Sequence, residues 1–101
     1  MRKITLDIET VSAVSRFDID SMELSLIGIH DSETDSYDSF IQEELGRLWP
    51  ILESADVLIG YNSDHFDIPI LNKYYSGDLT QIRSIDLLTE TRNSLGKRLK
   101  L

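Results

Sequence analysis

Residues 3–9, KITLDIE, alternate without a break: Ile4, Leu6 and Ile8 fall on one side, Lys3, Thr5, Asp7 and Glu9 on the other. A period of two is the pattern of a strand with one buried face. The chain therefore opens with a strand whose polar face carries two carboxylates, two positions apart and projecting the same way. Such a strand needs neighbours to pair with, and its apolar face needs a cover.

Both are supplied in order. TVSAVSRFDIDS reads as a mixed loop, and MELSLIGIHD and TDSYDSF as two strands of a hairpin turned at Ser32-Glu33. From Gln42 to Ser54 the period becomes helical, with Ile41, Leu45, Leu48, Trp49 and Leu52 on one face. Pro50 lacks the N–H a helix uses, which predicts a kink or break between Gly46 and Trp49. DVLIGYN is a short buried strand running into a loop. FDIPILNKYYSG reads as a second helix, with Asp67 placed to cap it, Pro69 in the tolerated first turn and Gly77 at its end. QIRSIDL is a fifth strand, and Asp86 caps a last helix whose face is Leu88, Thr91, Leu95 and Leu99, with Lys97, Arg98 and Lys100 at its end. The order β-β-β-α-β-α-β-α predicts an α/β fold, an antiparallel meander extended by parallel strands. At 101 residues this is one domain, 1–101, and 41% hydrophobic content suits a folded one.

Charge limits the functions on offer. Eighteen acidic residues against ten basic give a formal −8, which repels phosphates. Two bound Mg²⁺ would bring that −8 to about −4 and reverse the local field. No apolar run approaches the roughly 20 residues of a membrane span. The early carboxylates leave no room for a signal-peptide apolar region, and a chain without Cys is compatible with a reducing compartment. A soluble, cytoplasmic protein with no membrane partner is expected.

A D-x-E triplet on a strand is most simply a solvated face. Here the flanks Ile4, Leu6 and Ile8 make the strand a buried one, where unpaired acids are costly. Asp7 and Glu9 repel each other unless a cation or proton intervenes, and hard oxygen donors suit Mg²⁺ or Mn²⁺. The second cluster is IGYNSDHFDIPIL. Asp67 follows a loop that leaves a buried strand, the end of an open α/β sheet where ligands bind. Taken by itself it is a helix cap; Asp64 reads as a turn residue and His65 as a loop histidine.

Together, LDIET and IGYNSDHFDIPIL resemble the first two motifs of the DEDD, or DnaQ-like, 3′–5′ exonucleases. With Asn62, Phe66, Asp67 and Pro69, the second is most similar to the proofreading domains of family B DNA polymerases and their stand-alone relatives. The resemblance implies an RNase H-like fold, a five-stranded mixed sheet of order 3-2-1-4-5 with about three helices, and two divalent ions at the sheet's carboxyl end. It implies that Asp7 bridges both ions, Glu9 binds one and Asp67 serves the other. Asn62 and Phe66 would shape the loop that receives the terminal nucleotide, with Thr10 also at the substrate. The reaction would be attack of a metal-activated water on the last phosphodiester, with ions roughly 4 Å apart stabilising the entering and leaving oxygens.

The same family carries a third motif, an Asp preceded by a Tyr or His, on a later helix. Asp86 reads as a helix cap instead, and of Tyr74 and Tyr75 only Tyr74 has an Asp four residues on, at Asp78, by the end of the wrong helix. The chain is thus expected to be C-terminally incomplete, stopping before that motif with three of four ligands and no base. Three functions stay open: an exonuclease domain completed by another polypeptide, a module that binds metal or a single-stranded 3′ end without cutting, and a fragment that oligomerises. The last follows from an expectation that apolar residues of ITLDI or VLIGY lie partly uncovered and pair with a second copy. DNA and RNA are equally compatible with these residues.

Overall fold

The computed structural model describes residues 1–12 and 21–99. Strand β1 spans Lys3–Ser12, β2 Met22–Asp31 and β3 Ser36–Ile41; helix α1 is Leu45–Glu53, β4 Val57–Gly60, α2 Asp67–Asn72, β5 Ser84–Asp86 and α3 Leu87–Leu99. The sheet order is β3-β2-β1-β4-β5, with β1–β2 and β2–β3 antiparallel and β1–β4 and β4–β5 parallel. That is the mixed sheet the sequence predicts.

One face of the sheet is covered. Ile4, Leu6 and Ile8 of β1, Ile27 and Ile29 of β2, and Phe40 of β3 are buried with Leu45, Leu48 and Leu52 of α1 and Ile68, Ile70 and Leu71 of α2. The alternation of β1 therefore selects a side as well as a strand. This overturns the expectation that ITLDI is partly uncovered, since Ile4, Leu6 and Ile8 are all buried; VLIGY is partly uncovered, with Val57 and Leu58 buried, Ile59 half-buried and Tyr61 65% exposed. The uncovered surface is the opposite face. It carries Thr5, Asp7 and Glu9 of β1, directly paired with His30, Gly28 and Leu26 of β2, which face Tyr37, Ser39 and Ile41 of β3.

Several element bounds differ from the sequence reading, each for a local reason. β1 runs on to Ser12, past a register change between Glu9 and Thr10 where Ser25 is the extra residue of β2, so Thr10–Ser12 are strand. The remainder of the expected 10–21 loop, residues 13–20, lies outside the described residues. The hairpin turn is 32–35 rather than two residues, with Asp35 in the left-handed region at φ 48°. Pro50 does not break α1. The irregularity lies upstream, where Gln42–Glu44 form a 3₁₀ turn before the α-helix begins at Leu45.

The second helix stops at Asn72, well short of Gly77. The Asn72 side chain accepts from Leu79 N at 2.7 Å, Lys73 Nζ donates to Met22 O at 2.5 Å, and Leu24 N donates to Tyr74 Oη at 3.0 Å. These bonds turn the chain back toward β2 and sink Leu79 to 1% exposure, so tertiary partners outweigh helical propensity there. β5 keeps only Ser84–Asp86 of the expected QIRSIDL run, because Leu79–Gln81 wind into a 3₁₀ turn. None of the described helices is long and apolar enough to cross a membrane.

Arg2 closes the bottom of the sheet. Its guanidinium donates to Asp31 at 2.6 Å and to Ser54 Oγ at 2.5 Å, and its backbone N–H donates to Asp56 at 2.6 Å. One residue thereby joins the start of β1, the end of β2 and the end of α1.

Candidate active site

Asp7 and Glu9 lie past Thr5, the last residue of β1 that pairs with β4. Both share the open face, as a period of two requires, but both are exposed there, so the burial cost expected for them is not incurred. Thr10, beyond the register change, is half-buried and pairs with Leu24, a core residue. A shallow depression of about 390 Å³ runs over this face, lined among others by Asp7, Glu9, Leu26, His30 and Tyr37.

Where β4 ends, the β1 backbone loses its ladder partner on that side. Asp67 replaces it. Its Oδ2 accepts from Ile8 N at 3.2 Å, across 59 residues of sequence. Asp67 is the first residue of α2 and its side chain does not cap the helix; the capping position is Phe66, with no side-chain bond. Asp67 as a residue is only 4% exposed. Burial pushes its pKa up to about 6; the Ile8 N–H opposes that shift, and the nearby Asp7 charge adds to it. The Asp67 carboxyl is thus anchored to the β1 backbone next to Asp7, close enough for the Asp7 charge to act on it.

The intervening loop is held from β5. Asp86 accepts from Asn62 N at 2.8 Å and from Asp64 N at 3.0 Å, while also accepting from Leu88 N at 3.0 Å as the cap of α3. Burial alone would raise its pKa, but the backbone donors of Asp64, Asn62, Leu88 and Thr89 outweigh burial and hold it below the usual carboxylate range. Asn62 sits in the left-handed region at φ 58°, a conformation Asn tolerates better than most residues. Gly60 is required by close approach, since a Cβ there would lie 2.5 Å from that of Ser63. The exit from β4 is therefore fixed backbone, and it aims Phe66 inward against the core, with Asn62 half-buried beside it. Asp64 takes its turn role, accepting from Ser84 Oγ, and His65 is an exposed loop residue.

The structure thus anchors Asp67 on the β1 backbone beside Asp7, puts Glu9 on the same open face as Asp7, and leaves Asn62 and Phe66 in the adjoining loop. Among the described residues, no three acidic or histidine side chains converge closely enough to cage an ion as they stand. The sequence reading found Asp86 as a cap but missed its hold on the loop. It missed too the apolar strip of Leu26, Tyr37 and Ile41 beside the carboxylates, although the alternation of β2 and β3 carries that signal.

No protein-family model matches the chain, and no curated protein sequence matches it. Solved structures do. The family B DNA polymerase of the hyperthermophilic archaeon Pyrobaculum calidifontis aligns with a TM-score of 0.71 and 16% identity, over 90% of this chain and 16% of its own. The zinc-bound form of the E. coli ExoI–ssDNA complex aligns at 0.73 and 14% identity, over 98% of this chain and 30% of its own. The metal-free form of that complex gives 0.73, 14%, 98% and 31%. The chain spans less than a third of the length of each. At such identities the likeness is one of fold. The mixed sheet in the order 3-2-1-4-5 with three helices is the RNase H-like α/β fold of exonuclease domains.

Proposed function

We propose that this chain is a metal-dependent 3′–5′ exonuclease domain acting on nucleic-acid 3′ ends, with weak or no turnover as residues 1–101 alone. The observation that carries this reading is the buried Asp67 carboxyl, drawn back onto β1 beside Asp7 and raised to about 6, within a nuclease-like fold. A buried acid next to a second acid is stabilised by whatever cation the two can share.

The donors fit a hard divalent cation in kind: Asp7, Glu9 and Asp67 offer only carboxylate oxygens, as Mg²⁺ and Mn²⁺ prefer. A cation held there would polarise water and neutralise charge on a scissile phosphate. The rest falls to the chain. Asp7 and Asp67 would hold the cation, and Glu9 would extend the donor set along the open face. Asn62 and Phe66, on a loop pinned by Asp86, receive the last nucleotide, and Thr10 contacts it from the end of β1. ExoI, of the same fold, has been solved with single-stranded DNA, which supports a single-stranded 3′ end as the partner.

Asp86 does not supply a fourth ligand in this reading, because its carboxylate is already taken up by backbone N–H groups. The fourth carboxylate and the base come from a third motif, on another polypeptide or a further segment. Lacking a positioned acid–base group alone costs about 10²- to 10⁴-fold.

The test is degradation of a 3′-labelled single-stranded oligonucleotide in Mg²⁺ or Mn²⁺, with Asp7→Ala as the contamination control. Binding of the 3′ end with little cleavage, and cleavage restored by a segment bearing the third motif, is the expected result. Binding that no added segment converts to cleavage would make the chain a binding module instead. No binding at all would end the reading.

A further inference from the structure

The open sheet face and α3 are two exposed surfaces of opposite character on one molecule. α3 is little covered over its described side chains: Thr89 to Leu95 are all exposed, and Leu87 is 45% and Leu95 48% exposed. Leu87, Thr91 and Leu95 are spaced i, i+4, i+8 and share one side. On the sheet, Leu26 is 36%, Ile41 47% and Tyr37 83% exposed, beside Asp7 and Glu9.

Charge divides the same way. Helix α3 holds Arg92, Lys97 and Arg98 against Glu90, a formal +2, on a chain at −8 overall. A helix that is basic and carries a leucine stripe thus complements a face that is acidic at its edge and apolar along its middle. We propose that two copies of this chain pair by laying α3 of each across the open β1–β2–β3 face of the other. The area is sufficient. A 13-residue helix is about 20 Å long, and one side of it bedded in a groove removes on the order of 300 Å² from each partner. Two reciprocal contacts then bury roughly 1,200 Å², the lower end of stable interfaces. Unlike charges would set the orientation and quicken encounter, which salt would weaken. The pairing also lays a basic helix over the candidate carboxylates, yet it stands whether or not they hold metal.

Sedimentation of the full chain at low and high salt tests it, with circular dichroism to confirm folding of each variant. A dimer at low salt is expected. Leu95→Asp on α3 and Leu26→Asp on the sheet should each weaken it at least tenfold, and raised salt should weaken it too. Because the chain has no Cys, Leu26→Cys and Leu95→Cys can be introduced one per chain. Mixing the two should give a disulfide-linked heterodimer in preference to either homodimer. A monomer at all concentrations, a dimer indifferent to both Asp variants, or a disulfide that forms within one doubly substituted chain at high dilution would each overturn the proposal.

Discussion

Asp67, at the start of α2, accepts a hydrogen bond from the backbone N–H of Ile8 in β1 at 3.2 Å, where β4 no longer supplies a partner. The bond completes the sheet but confines a carboxyl whose pKa rises from 3.8 to about 6. Between those two values the folded state holds the proton more tightly than the unfolded chain. The contribution of this group to stability therefore falls as pH rises through that window. A shift of this size corresponds to at most about 3 kcal/mol. Asp67→Asn keeps an acceptor for Ile8 and removes the charge, so in EDTA at pH 7 it should gain about 1–2 kcal/mol, the remainder offset by a weaker bond. Urea denaturation at pH 5 and pH 7 checks this: the two proteins should differ at pH 7 and converge at pH 5. A variant less stable than wild type at pH 7 would mean that the charge is already compensated.

Divalent cations should reverse that penalty. Mn²⁺ should raise the melting temperature of the wild type and leave Asp67→Asn and Asp7→Asn nearly unmoved, because a ligand that binds only the folded state stabilises it. Binding should weaken as pH falls through about 6, where Asp67 takes up its proton. Calorimetric titration at pH 7.5 and pH 5.5 reads both effects. Equal Mn²⁺ affinity in wild type and Asp7→Asn would remove these residues from the metal assignment.

Asp86 should matter for folding more than for chemistry. Its two oxygens serve Asn62, Asp64 and Leu88, so an amide at this position sets a donor against a donor whichever way it turns. Asp86→Asn should cost roughly 2–4 kcal/mol, in the range for leaving buried backbone groups unpaired. Hydrogen exchange should show the amides of Asn62 and Asp64 losing protection first. A cost under about 0.5 kcal/mol, the usual size of a neutral surface change, would assign the loop's order to other contacts.

Part of the acid limb of stability should belong to Asp31. The Arg2 guanidinium beside it holds its carboxyl below the usual value of 3.8, so the stabilisation is present at neutral pH and is lost as pH falls below about 4. Arg2→Ala should lower the melting temperature at pH 7 and flatten its decline below pH 4. A melting curve with the same acid dependence in both proteins would place that limb elsewhere.

Strand and helix order were legible because both periods are written into the residues: Ile4, Leu6 and Ile8 by twos, Leu45, Leu48 and Leu52 by threes and fours. The length of α2 was not. Its end is decided by Asn72, Lys73 and Tyr74 reaching residues distant in sequence, and no local pattern records such partners. Asp67 shows the same limit. An acid before an apolar run looks like a helix cap in any sequence, and only the meeting of β1 with α2 shows that it serves a strand. Alternation likewise marks two faces on a strand without saying which one the helices cover, which is why Ile4, Leu6 and Ile8 are expected partly bare and are covered instead.

The grip of Asp86 on Asn62 also has a tempo. A chain made from its N-terminus delivers residues 61–66 before the Asp86 carboxylate that holds Asn62 and Asp64. β1, β2 and β3 can zip together from neighbouring sequence, whereas the exit from β4 must wait for an anchor 24 positions later. The loop beside the two carboxylates should therefore be the last part of the site to gain protection during refolding, which pulsed hydrogen exchange at Asn62 and Asp64 would read. Any lesion that delays β5 leaves a paired meander with an unset loop.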